Sequence, residues 1–161
     1  MKRGIIALIL IVLFSSLISA EMMFTQPVKE TYNLGDSVFV PVTIKSLSDI
    51  SGIFQMNLIC NGTEINFYTT GIKLKSGEQI SLVDPNLVLI NNIIGGSAGS
   101  CKIKAILGAD YVLSNEFKIS NLLNLEGSLE RTEFDSGENV LITGKVVKEN
   151  GENSDGFIEA K

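Results

Sequence analysis

Two cysteines, Cys60 and Cys101, have the most specific chemistry open to any residue of this chain. Thiols can join as a disulfide in an oxidising compartment, ligate a soft metal, or lie buried as small apolar groups. The 161 residues include no histidine, and two cysteines this far apart without imidazole do not form a zinc site. The commonest general base is missing for the same reason. Serine and aspartate are plentiful, but no local motif brings them together as nucleophile and base. No catalytic, cofactor-binding or metal-binding residue is assigned, and the chain reads as non-enzymatic. Gly95-Gly-Ser-Ala-Gly99 is glycine-rich, yet it lacks the Gly-Lys-Ser/Thr ending of a phosphate loop and leads into a strand. It reads as a flexible connection.

Asn61-Gly62-Thr63 matches the acceptor pattern for N-glycosylation, which makes Asn61 a candidate if the chain is exported. Asn-Gly is also the strongest short hairpin signal, because both central positions of a type I′ turn need positive φ. Turn geometry alone accounts for the pair. Asp36, Asp49, Asp84, Asp110 and Glu138 fall in loops. Calcium would need six to eight converging oxygens, and turn and solvation chemistry is the simpler reading of these carboxylates.

The elements that carry these residues are strands. Val38, Val40, Val42 and Ile44 alternate with Phe39, Pro41, Thr43 and Lys45. Phe54, Met56, Leu58 and Cys60 alternate with Ile53, Gln55, Asn57 and Ile59, and Cys101, Ile103, Ala105 and Leu107 repeat the pattern. Period two buries one face and wets the other. Turn residues separate the runs at roughly ten-residue spacing, as in all-β sandwiches. Strands are predicted at 22–30, 37–45, 53–60, 64–74, 78–90 (broken near Pro85), 100–107 and 112–120, with further strands near 125–131 and 138–148 and a start at Phe157-Ile158. Pro41 cannot donate to a ladder, so a bulge or an edge is expected there.

A pattern repeats along the chain. Tyr32-x-x-Gly35-Asp36-x-Val38-x-Val40-x-x-x-Ile44 returns as Phe134-x-x-Gly137-Glu138-x-Val140-x-Ile142-x-x-x-Val146 at constant offset. The offset is about 100 residues, the length of one immunoglobulin-like sandwich. Residues 21–120 therefore read as a complete domain and 121–161 as the start of a second, truncated copy. Two or three strands cannot bury a core of their own. The reading is that the chain is the front of a longer multidomain protein; the alternative is a tail packed on the first domain or on a partner.

Residues 1–20 have the layout of a signal peptide: Lys2 and Arg3, an apolar run from Ile5 to Leu17, then Ser19-Ala20. Cleavage after Ala20 is expected, and an uncleaved membrane anchor is the alternative. The formal net charge is −5, and losing Lys2 and Arg3 makes the chain more acidic still. Such a balance does not suit nucleic acid or an anionic membrane, which both need clustered Lys and Arg. Contact with a membrane is expected only through residues 1–20, if they are retained. The location read from these features is extracellular or cell-surface.

The Tyr32-x-x-Gly35-Asp36-x-Val38-x-Val40 motif resembles the first two strands of tandem immunoglobulin-like domains in bacterial and archaeal surface and exported proteins. Gly99-Ser-Cys-Lys-Ile-Lys-Ala105 followed by Ser114-Asn-Glu-Phe117-Lys-Ile119 is similar to their last two strands. The resemblance implies an immunoglobulin-like or fibronectin-like seven-stranded antiparallel sandwich used as a spacer, adhesion or binding module. Its partners would be other repeats of the same protein, or surface proteins and glycans. Gly35 and Gly137 would supply backbone freedom, Tyr32 and Phe134 a packing aromatic, and Asp36 and Glu138 equivalent turn positions. In that topology Cys60 ends the third strand and Cys101 begins the sixth, as antiparallel neighbours with inward parity. A disulfide within one sheet is expected, unlike the inter-sheet bridge of antibody domains. Two other functional readings stand beside this one. Lys2-Arg3-Gly4 ahead of Ile5 resembles a prepilin cleavage site, which would make the chain a pilin-like filament subunit. The chain would otherwise be an accessory domain of a larger secreted enzyme.

Overall fold

The computed structural model describes residues 20–154. The N-terminal apolar run and the strand expected at Phe157-Ile158 lie outside the described residues. The protein is built almost wholly of β-strands in several sheets, antiparallel but for one strand pair. The first sheet orders β1 (Ala20–Phe24), β4 (Val42–Ser46) and β7 (Gln79–Leu82). The second orders β2 (Thr31–Asn33), β11 (Phe117–Ser120), β9 (Gly99–Leu107), β5 (Ile50–Cys60) and β6 (Thr63–Leu74), and β10 (Asp110–Leu113) also pairs with β9. The pairing of β2 with β11 is parallel. A short ladder joins β3 (Ser37–Phe39) to β8 (Asn86–Val88), and β12 (Leu123–Leu129) pairs with β13 (Ile142–Lys148).

The alternation seen in the sequence is the reason for this layering. Val38, Val40, Val42 and Ile44 are fully buried, as are Phe54, Met56, Leu58, Ile103 and Ala105, and all belong to one core cluster that also holds Leu87, Leu89 and Ile119. Strands of both main sheets contribute, so the core lies between two layers. Full burial of each of these side chains larger than alanine contributes roughly 1.5–3 kcal/mol.

Three predicted strands, 37–45, 78–90 and 112–120, are divided, the second at the expected Pro85, and the strand expected at 22–30 ends early at Phe24; chain chemistry explains each interruption. The chain has three prolines, and Pro27, Pro41 and Pro85 each stand in one of the breaks, where no N–H is available for a ladder. Pro41 and Pro85 interrupt neighbouring strands together. Val38 faces Leu87 on one side of the break and Val42 faces Leu82 on the other, a slip of one residue. The Val40 N–H donates to the Pro85 carbonyl at 3.1 Å and keeps the two halves joined. The run 112–120 divides at Ser114–Glu116 for another reason. The Asn115 side chain takes the place of a backbone partner, accepting from the Val28 N–H at 3.2 Å and donating to the Val28 carbonyl at 3.1 Å. One helical turn, α1 (Asn91–Ile94), precedes the glycine-rich connection. It is too short to show a helical period and is held by the fully buried Ile94.

Candidate functional site

The cysteines meet. Cys60 ends β5 and stands directly opposite Cys101 in β9, with Cα atoms 4.3 Å apart, and the two form a disulfide. The closeness of the Cα atoms matches a non-hydrogen-bonded antiparallel pair. Asn61 (φ 49°) and Gly62 (φ 84°) turn the chain into β6 with the positive φ expected of a type I′ hairpin. Asn61 Nδ2 donates to the Ala98 carbonyl at 2.8 Å, so the hairpin tip and the connection before β9 are tied beside the bridge. The same nitrogen is the atom a glycan would occupy.

The two copies of the sequence motif form two turns with the same construction. In the first, the Asp36 N–H donates to the Asn33 carbonyl at 3.0 Å, and Asp36 Oδ2 accepts from the Asn33 N–H at 2.7 Å. In the second, the Glu138 N–H donates to the Asp135 carbonyl at 3.1 Å, and Glu138 Oε2 accepts from the Asp135 N–H at 2.8 Å. Gly35 and Gly137 take φ of 92° and 93°, a region costly for other residues. A cation lies over each motif aromatic: Lys29 Nζ at 5.9 Å from the Tyr32 ring and the Arg131 guanidinium at 5.0 Å from the Phe134 ring. Tyr32 is buried and meets Phe117 edge-on at 5.5 Å, whereas Phe134 is half-buried.

The first turn is also where the end of the β12–β13 hairpin meets the strands of the core. Asp36 Oδ1 pairs with Lys148 Nζ at 2.6 Å, and Asp36 Oδ2 accepts from Asn150 Nδ2 at 2.9 Å. Asn33 donates to the Leu122 carbonyl at 2.9 Å and accepts from the Asn150 N–H at 3.2 Å. Lys118 pairs with Glu149 at 2.6 Å and Lys29 with Glu152 at 3.0 Å. Three polar residues are buried in the described part, Asn33, Ser46 and Ser120. Two of them lie here, with Ser120 Oγ accepting from the Leu122 N–H at 3.1 Å. Burying polar groups is costly unless they are satisfied, and these are. Lys118 and the Ser120 hydroxyl hold the Glu149 carboxyl below the usual glutamate range. Hydrogen bonding to Glu152 raises the Lys29 ammonium above its ordinary value. The second turn holds its own carboxylate down too. The Asp135 N–H and then Arg131, 2.8 Å away, lower the Glu138 carboxyl.

Sequence reasoning placed Asp36 in a turn, but not against Lys148 and Asn150. Lys29, Lys118, Lys148, Glu149 and Glu152 were missed altogether. Their pairings join segments far apart in the chain, and no local pattern marks them. Among the described residues, no group of three or more His, Cys, Asp or Glu side chains is placed to hold a metal ion. Asp49 instead accepts from the Ser76 N–H at 2.9 Å and Asp110 from the Ala20 N–H at 3.2 Å. Among the described residues, no helix is long and apolar enough to cross a membrane.

No family model and no curated protein matches the chain. Solved structures do resemble it. The alkylpurine DNA glycosylase AlkC of Pseudomonas fluorescens aligns with 63% of this chain over 30% of its own length, at 14% identity and a TM-score of 0.54. A β-glucosidase of Listeria innocua aligns with 63% of this chain over 16% of its own, at 18% identity and a TM-score of 0.49. The β-glucosidase EmGH1 of Erythrobacter marinus gives 63%, 15%, 14% and 0.42 in the same order. The chain thus spans less than a third of the length of each. The likeness to AlkC is one of fold alone.

Proposed function

We propose that this protein is an exported, non-enzymatic immunoglobulin-like module. Residues 21–120 form the sandwich and 121–161 open a second copy. Its task is to space or display neighbouring domains at the cell surface, in a set orientation. The partners of such a module are other repeats of the same kind, or surface proteins and glycans. The two-layered core and the like construction of the two motif turns support the fold reading. The Cys60–Cys101 bridge fits an oxidising compartment outside the cytoplasm.

The observation that carries the spacer role is the junction at Asp36. A hairpin left to itself is marginally stable and free to swing. Here the end of it nearest the core is held by one carboxylate that takes both Lys148 and Asn150. The test is hydrogen exchange on the full chain carrying Asp36→Ala. Amides of β12 and β13 are expected to exchange at least tenfold faster while those of β5 and β9 stay as they were. Unchanged exchange in the hairpin contradicts the spacer role.

A further inference from the structure

We propose that the second motif turn, Asp135 to Glu138 with Arg131 beside it, is a docking socket for the Lys-x-Asn-Gly-Glu turn of a further copy of this unit. The inference rests on the spacer reading above and names the next partner in the array.

The first motif turn defines what such a socket takes. Its acid, Asp36, binds a lysine and an asparagine, and its cation, Lys29, binds a glutamate. All three come from one short turn, Lys148-Glu149-Asn150-Gly151-Glu152. The second motif turn offers the same two charges, Glu138 and Arg131, on the same backbone frame. There the two are paired with each other at 2.8 Å, with side chains 34% and 54% exposed. An exposed pair of this kind is worth little. Exchanging it for two new pairs, Glu138 with an incoming lysine and Arg131 with an incoming glutamate, reproduces the first junction at small cost.

The polarity of the units agrees. The turn after β4, which corresponds to the turn after β13, runs Ser46-Leu-Ser-Asp49. It has neither lysine nor Asn-Gly. The first unit therefore has a socket and no plug, while the second has both. A head-to-tail contact of this type extends rather than closes.

The test uses the full chain, isotopically labelled, and a cyclised peptide carrying residues 146–153. The peptide is titrated to low millimolar concentration, the range of the effective concentration that a short linker provides. Amide shifts are expected at Arg131, Asp135, Gly137 and Glu138. They are expected to vanish when the peptide carries Lys148→Ala and when the chain carries Glu138→Gln. No shift at these four residues overturns the proposal, as do shifts that survive the Lys148→Ala peptide. A silent titration in a chain whose hairpin is still released by Asp36→Ala removes this socket and leaves the first junction standing. A hairpin unmoved by Asp36→Ala removes both.

Discussion

At the scale of single residues, Asp36 and the two cysteines have the largest effects. One carboxylate, Asp36, closes its own turn through the Asn33 N–H and reaches the end of the β12–β13 hairpin through Lys148 and Asn150. Its side chain is only 9% exposed, so its hydrogen bonds are stronger than surface ones and costlier to remove. The cysteines act through the unfolded chain. Their bridge closes a separation of 41 residues, which the chain-entropy argument values at about 4 kcal/mol. Replacing both, Cys60→Ala with Cys101→Ala, is expected to lower the free energy of unfolding by ~2–4 kcal/mol in a urea titration. A loss below about 1 kcal/mol would mean the bridge restrains little. The inward parity of Cys60 and Cys101 was legible from the alternation of their neighbours. The partners of Asp36 were not, because they lie beyond the reach of any local spacing.

Elements show where sequence patterns stop. Alternation located the long strands of the core but not β2, and Asn61-Gly62 located the hairpin between β5 and β6. The extents were less legible. The interruptions at Pro41 and Pro85 were legible from the prolines, whereas the one at Asn115, whose amide imitates a backbone partner, was not. The turn that carries Lys148 and Asn150 belongs to the hairpin element, and its charges set its response to pH. The Glu149 carboxyl is held below the ordinary glutamate range by Lys118 and Ser120. A carboxyl with a depressed folded value contributes stability above its unfolded value and loses it as pH falls through the folded one. The Lys29 ammonium, raised by Glu152, contributes fully below its unfolded value and loses it only as pH rises through its folded one. Docking of the hairpin is therefore expected to hold at neutral pH and to weaken on acidification through and below the glutamate range. Exchange of β12 and β13 amides followed against pH reads this directly. Because these two pairs are exposed, added salt is expected to reduce the effect. An exchange pattern flat with pH after correction for intrinsic rates would show that Glu149 has no part in docking.

For the whole molecule, the contrast between the two copies of the sequence motif is the informative feature. Val38 and Val40 are fully buried in the first, while their counterparts Val140 and Ile142 are 50% and 55% exposed in the second. Leu125, Leu129 and Ile142 lie on the same side of the β12–β13 ladder, with the polar Glu126, Ser128 and Thr143 on the other. The hairpin has the one-sided pattern of a sandwich strand pair, and its link to the rest is polar and confined to one end. A spacer needs that link to fix direction. The decisive measurement is of residual dipolar couplings for backbone amides of the full chain in a dilute aligned medium. The expected result is that one alignment tensor fits the amides of β5 and β9 together with those of β12 and β13, and that Asp36→Ala breaks the common fit. Separate tensors in the unaltered protein would mean that the hairpin and the larger sheet reorient independently, and would contradict the account.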